Sequence, residues 1–160
     1  MSYDIYIGNA ELEEFNPDDD ECNTVRVHVD QLNNKDAPVF PNDEMTGDGN
    51  DRHPGYNGWA TFCEDSGLEK LFFDEETGLM RQHPGVFHIT KNDLAVVQEK
   101  LELWKSSHPN AVPGFGGMNW SDGTVKEPNK YDPVLARLIW LEWWMRYALK
   151  NCKTPAIENS

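Results

Sequence analysis

The C-terminal stretch from Asp132 to Cys152, DPVLARLIWLEWWMRYALKNC, constrains the fold of this chain more than any other segment. Its apolar residues cover most of a helical circumference, and such a helix needs other elements packed around it. Asp132 is a good N-cap residue, and Pro133 occupies the favoured first helical position. The sequence therefore predicts a buried helix over residues 132–151 at the centre of the fold.

Arg137 is a charged residue on the apolar side of this predicted helix. Glu142, Arg146 and Lys150 share the wetter stripe, and Arg137 projects nearly opposite them. A guanidinium on an apolar face needs acceptors, because an unpaired buried charge is very costly. Two interpretations stay open. Arg137 either forms an internal ion pair or reaches water past Trp144, or it is a pocket cation that holds the phosphate or carboxylate of a ligand.

Alternating patterns in the N-terminal third predict β-strands. Residues 3–8 and 25–30 each alternate between apolar and wetter positions, which is typical of half-buried strands. We expect them to form an antiparallel pair, joined by an acidic connection from Glu11 to Glu21. Val86–Ile89 is a further short strand candidate.

A second main helix is predicted over residues 90–105, where Thr90 and Asp93 resemble a capping box and an apolar stripe follows. A shorter helix is expected from Trp59 to Ser66. Gly, Pro, Asn and Asp dominate the segments 33–58 and 109–131, which predicts two long irregular loops. The expected fold is α+β, a single domain at 1–160 in which a small antiparallel sheet packs against the helices at 90–105 and 132–151.

The charge balance restricts the class of partner. The chain has 28 acidic and 14 basic residues, a net charge of −14. A field of this sign repels phosphate backbones, so it argues against direct binding of nucleic acid and favours a protein partner with a basic surface. The acidic run Asp18, Asp19, Asp20 and Glu21 supplies the candidate partner-binding residues, with a solvated surface turn as the alternative.

The cysteines and the apolar runs bear on the compartment. Cys22, Cys63 and Cys152 are odd in number and widely spaced, and no secretory leader pattern precedes the first strand. No run of about 18 apolar residues suggests a membrane span. We expect a reduced, cytoplasmic protein without membrane contact.

The dipeptide His-Pro occurs at His53, His83 and His108. These are either three turns, or three histidines that converge as metal ligands or acid–base groups. The tight pairings of known zinc sites are absent, as are the common nucleophile and nucleotide-binding motifs. We therefore predict no catalytic residue, no metal and no cofactor.

A small anionic ligand is the alternative to a protein partner. Its site would combine positive charge with aromatic stacking, at the rims of the two long loops. The candidate ligand-binding residues are Arg137, Trp120, Trp59, Arg81, His83 and His53.

The segment ARLIWLEWWMRYAL followed by NCKTPAIENS, together with YNGWATF and HPG, resembles small phage-encoded proteins of unknown function. The resemblance spans much of residues 56–160. It implies a viral origin and the cytoplasm of a host cell, and carries over no activity. The predicted function is that of a non-enzymatic acidic binding protein, an anti-defence or host-takeover factor that binds a host protein. The alternatives are a binder of a nucleotide or other small anion, and a metal-dependent hydrolase.

Overall fold

The computed structural model describes residues 1–12, 27–42, 50–118, 125–126 and 130–160. The elements in chain order are β1 (Ile5–Leu12), β2 (Val27–Gln31), α1 (Tyr56–Ser66), α2 (Glu69–Phe73), β3 (Gly85–His88), α3 (Lys91–Ser107), β4 (Gly117–Met118), β5 (Val125–Lys126), α4 (Pro133–Asn151) and β6 (Pro155–Asn159). A small antiparallel sheet combined with helices confirms the α+β prediction.

The main sheet has the strand order β2-β1-β6-β3, and every neighbouring pair is antiparallel. The predicted pairing of the first two strands is confirmed. Ile7 is paired with Ile157, which in turn is paired with Phe87, so these three side chains share one face. All three are buried in the core, which identifies the face that the helices cover.

The centre of this sheet was not predicted. β6 comes from the C-terminal segment after α4, yet it lies between β1 and β3 and pairs with both. Its sequence PAIEN contains a single large apolar residue, Ile157, between Ala156 and Glu158. So short a pattern gives no recognisable alternation, and only the pairing on both sides makes this segment a central strand.

The predicted helix at 132–151 is confirmed as α4. The Asp132 carboxylate accepts the Leu135 N–H at 2.9 Å, and Pro133 occupies the first turn. α4 packs against β1, β6, α1 and α3. Trp140 and Trp144 are completely buried, as expected of a helix at the centre of the fold.

The predicted capping box of the second main helix is also confirmed. Thr90 Oγ1 accepts the Asp93 N–H at 3.2 Å, and the Asp93 carboxylate accepts the Thr90 N–H at 2.8 Å. α3 then runs to Ser107 and packs principally against α4. The sheet contacts that the sequence led us to expect of both helices are made mainly by α4.

The loop boundaries differ from the prediction in two places. α1 begins at Tyr56, so its first turn lies inside the segment 33–58 that was expected to be irregular. It ends at Ser66, as predicted, and Gly67 follows as the C-cap with a φ of 78° that glycine adopts without strain. The second expected loop, 109–131, contains the short antiparallel pair of β4 and β5.

β2 curls over the face of the sheet opposite α4. The Val29 N–H donates to Glu158 Oε2 at 2.9 Å, although Glu158 lies on β6, beyond β1. A Cβ atom at Gly8 would lie 1.9 Å from the Asp30 carbonyl oxygen, so only glycine allows this close approach. Within the described part of the chain, no helix is both long and apolar enough to cross a membrane.

Candidate functional site

The N-terminal residues bring a group of aromatic side chains together at one end of the sheet. The Tyr3 N–H donates to the Pro54 carbonyl at 2.9 Å, and the Asp4 N–H donates to the Ser160 carbonyl at 2.8 Å. These bonds place Tyr3 beside the start of α1 and the turn before β3. We call the resulting group, Tyr3, Tyr56, His83 and Asn159, the tyrosine–histidine corner.

Asn159 fixes the geometry of this corner. Its side chain is buried, and its amide nitrogen faces the Gln82 and Gly85 carbonyl oxygens at 3.2 and 3.4 Å. A carbonyl oxygen only accepts hydrogen bonds, so the nitrogen must point at these two groups. Asn159 Oδ1 consequently faces His83 Nδ1, at 2.7 Å. His83 Nδ1 must then carry a proton, because the amide oxygen can only accept.

This assignment decides the state of the other ring nitrogen. In a neutral imidazole with the proton on Nδ1, Nε2 has a lone pair. The Tyr56 hydroxyl lies 3.0 Å from His83 Nε2 and donates its proton to it. A hydroxyl, a base within hydrogen-bond distance and a third group that orients the base form the arrangement of activated nucleophiles.

Tyr3 completes the corner through ring contacts. Its ring centroid lies 4.4 Å from that of Tyr56 and 4.8 Å from that of His83, which it meets edge to face. Burial raises the pKa of Tyr3, and the neighbouring Tyr56 and Cys63 raise it further. Tyr3 therefore stays a neutral phenol and serves as a wall of the corner.

The three His-Pro histidines have different partners. His83 contacts Tyr56 and Asn159, whereas His53 Nδ1 pairs with the half-exposed carboxylate of Asp4. His108 stacks on Trp104 with a centroid distance of 4.1 Å. No group of three or more His, Cys, Asp or Glu side chains in the described ranges is arranged to hold a metal ion. Of these histidines, His83 is the one whose Nε2 lies within hydrogen-bond distance of a side-chain hydroxyl.

Arg137 is half-buried on α4. Its guanidinium carbon lies 5.6 Å from the Phe62 ring centroid and 5.7 Å from that of Phe115. Burial raises the pKa of the nearby Cys63 thiol well above its usual range, and the positive charge of Arg137 opposes this rise. Arg137 thus packs between two aromatic rings, and a role in holding a ligand stays a prediction.

The other predicted ligand-binding residues make separate contacts. The exposed Arg81 places its guanidinium 4.2 Å from the Phe87 ring centroid and donates to the Gly78 carbonyl at 2.9 Å. Trp59 is 1% exposed and packs against the rings of Phe62 and Phe72, so it forms part of the core. Trp120 and the run Asp18, Asp19, Asp20 and Glu21 lie outside the described residues.

A separate cleft of about 670 Å³ lies over β1, β3 and β6. Its apolar lining includes Ala10, Val86 and Ala156, and its polar lining includes His88 and Lys153. This volume is within the range of small-molecule sites, which is roughly 300–1,000 Å³. No local sequence pattern predicts this cleft, because it depends on the pairing of β6 between the two other strands.

Three members of the tyrosine–histidine corner are not among the candidate residues predicted from the sequence. The sequence places Tyr3 in a strand and Tyr56 in a loop, and it predicts no element at Asn159. The partners of His83 are 27 and 76 positions away in sequence, so no local spacing connects them. Comparison with models of protein families, with curated proteins and with solved structures gives no match.

Proposed function

We propose that the protein acts by binding a protein partner with a basic surface, through the acidic segment that connects β1 to β2. One observation carries the proposal. Seven acidic residues and no basic residue occur between Glu11 and Glu21. Leu12 is paired with Val27, so the connecting residues 13–26 leave and rejoin the sheet at paired positions. The most acidic stretch of the chain thus lies within a connection whose two flanking residues, Leu12 and Val27, are paired in the sheet.

The electrostatics of such a segment favour fast and selective association. Complementary charge steers a basic partner towards the site and disfavours acidic competitors. The attraction is screened over about 8 Å at physiological ionic strength, so the binding depends on salt. The net charge of −14 acts in the same direction and opposes contact with nucleic acid.

The resemblance of the α4 segment to phage-encoded proteins supports a host protein as the partner. Under this proposal, the protein is a non-enzymatic anti-defence or host-takeover factor that acts in the host cytoplasm. The residues that contact the partner are Asp18, Asp19, Asp20 and Glu21.

A pair of charge-neutralising variants tests this proposal. The first replaces Asp18, Asp19 and Asp20 with Asn and Glu21 with Gln. The matched control makes the same change of charge at Glu64, Asp65, Glu75 and Glu76, which are exposed on α1 and in the turn after α2. Both are used to capture partners from host lysate at low and high salt, with identification by mass spectrometry and measurement of the affinity of the purified pair.

We expect the first variant to lose most of the binding and the control to keep it, and we expect the wild-type complex to dissociate as the salt concentration rises. Equal loss in both variants would show that only net charge matters and would reject the assigned segment. Unchanged binding by the first variant would reject the proposal.

The cleft over β1, β3 and β6 favours a second candidate function, the binding of a small anion. Lys153 and His88 line it together with one carboxylate, that of Glu11, and the apolar surface of Ala10 and Ala156. Lys153 suits an anionic head group, and the alanine surface suits an apolar body. A thermal-shift screen with nucleotides and carboxylates tests this, because a ligand that binds only the folded state raises the melting temperature. Any shift should disappear in Lys153→Met. The metal-dependent hydrolase finds no support among the described side chains.

A further inference from the structure

We infer that Tyr56 is a nucleophilic tyrosine that accepts an acyl group from neutral, activated acyl compounds, with His83 as its base and Asn159 as the positioning residue. The geometry of this chain of hydrogen bonds carries the inference, with 3.0 Å between Tyr56 Oη and His83 Nε2 and 2.7 Å between His83 Nδ1 and Asn159 Oδ1. The inference is independent of the proposed protein partner.

Asn159 selects the tautomer that the chemistry requires. If the amide were reversed, its nitrogen would donate to Nδ1, Nε2 would carry the proton, and the Tyr56 oxygen would become an acceptor. That arrangement would leave the amide oxygen against the carbonyls of Gln82 and Gly85, which offer it no proton. The buried position of Asn159 holds the productive orientation.

Tyr6 provides an internal comparison. Its hydroxyl is hydrogen-bonded to a carboxylate, that of Glu158, and its pKa is strongly raised by burial first and then by this bond and the charge of Glu158. A carboxylate opposes the formation of a phenolate beside it, because the two charges repel. A neutral imidazole carries no such charge, and it becomes a cation beside the phenolate when it takes the proton. Tyr56 is therefore far better placed than Tyr6 to react.

Access and charge define the class of substrate. The hydrogen bond between Tyr56 and His83 lies at the surface, with His83 exposed and Tyr56 half-buried. A small acyl group can therefore approach it from the solvent. The net charge of −14 disfavours phosphoryl donors, which are anionic, so a neutral ester or acyl-imidazole is the better substrate.

The reaction with N-acetylimidazole begins at the Tyr56 hydroxyl. Tyr56 Oη forms a bond to the carbonyl carbon while His83 Nε2 takes the phenolic proton. The bond from that carbon to the imidazole nitrogen then breaks, and His83 returns the proton to the leaving nitrogen. The products are O-acetyl-Tyr56 and imidazole.

Acetylation of the folded protein with limiting N-acetylimidazole tests the inference. Peptide mapping by mass spectrometry measures the rate at each tyrosine. We expect Tyr56 to react about tenfold or more faster than Tyr147, which stacks on Trp143 with its ring centroid 5.2 Å away. His83→Gln should remove this advantage, whereas His108→Gln, at an exposed histidine after α3, should leave it unchanged.

The tautomer of His83 gives a readout that a merely structural role would not predict. Nitrogen-15 spectra of the folded wild type should show the proton on Nδ1, and Asn159→Ala should move it to Nε2 and slow the acetylation of Tyr56. A wild-type proton on Nε2 would overturn the inference even if Asn159→Ala failed to fold. Equal rates at Tyr56 and Tyr147, or an unchanged rate in a folded His83→Gln protein, would also overturn it.

Discussion

The helical core and the tyrosine–histidine corner are stabilised by different kinds of contact. In the helical core, which we define by Trp59, Phe62, Leu138, Trp140 and Trp144, large apolar side chains are excluded from water. In the corner, a buried amide and a histidine are connected by directional hydrogen bonds. Apolar burial tolerates many arrangements, whereas each bond in the corner requires one orientation.

Asn50 extends the polar type of contact along β1. It is completely buried, its Oδ1 accepts the Ile7 N–H at 2.9 Å, and its Nδ2 donates to the carbonyls of Ile7 and Leu32 at 2.6 and 2.8 Å. The side chain thus satisfies both backbone groups of Ile7, as a neighbouring strand would. Arg52, two residues on, is buried with its guanidinium carbon 5.1 Å from the Trp140 ring centroid, and so connects this polar region to the helical core.

The largest effect is expected in the helical core. Trp144→Ala should lower the free energy of unfolding by about 3–5 kcal/mol, since it removes a completely buried indole from the centre of α4. Chemical denaturation followed by circular dichroism measures this. Trp143→Ala, on the adjacent half-buried residue, is the matched control and should cost clearly less. An equal cost for the two would mean that burial on α4 does not set the stability.

Asn50→Ala tests the polar region and should cost about 2–3 kcal/mol, because it removes the acceptor of the Ile7 N–H and the donor to the Ile7 and Leu32 carbonyls. Hydrogen exchange at the Ile7 amide should accelerate more than exchange in α4. The control is Asn92→Ala, at an exposed position of α3. If Asn50→Ala were as mild as this control, directional bonds would not stabilise this part of the sheet.

The two regions also differ in what their sequence reveals. The starts of α3 and α4 were predicted correctly because their signals are local, with Thr90 and Asp93 three positions apart and Asp132 next to Pro133. The contacts of Asn50 and Asn159 join residues 43 and 76 positions apart. An asparagine in a polar segment does not reveal which strand it will meet, so these contacts appear only once the sheet is formed.

Arg137 combines a local sequence signal with contacts to residues that are distant in sequence. Its position among apolar residues indicates an unusual environment, because the helical period fixes the side to which it points. Its neighbours Phe62 and Phe115 come from α1 and from the segment before β4, and the helical period gives no information about them. The sequence thus indicates a charged residue on an apolar helix face but does not indicate the aromatic rings beside it.

Asp132 should give an intermediate effect because it combines a local and a distant bond. Its carboxylate caps α4 through Leu135 at 2.9 Å and also accepts the Trp104 indole N–H of α3 at 2.7 Å. Asp132→Ala should cost about 1–2 kcal/mol. Thr90→Ala, which removes a cap without a second helix contact, should cost about 1 kcal/mol or less. The difference between the two, measured by denaturation, gives the value of the Trp104 bond, and a larger loss in Thr90→Ala would contradict this assignment.

The smallest effect is expected for the ion pair on the outer face of α4. Arg146 Nε donates to Glu142 Oε1 at 2.8 Å, with the arginine side chain 52% exposed. Because water and salt screen such a pair, Arg146→Gln should cost only about 0.3–0.5 kcal/mol, and less at about 1 M salt. Denaturation at low and high salt measures both values. Although both of its groups are charged, this exposed ion pair should contribute much less to stability than the neutral hydrogen bonds of the buried Asn50. If Arg146→Gln cost as much as Asn50→Ala, the exposure of a polar contact would not determine how much that contact contributes to stability.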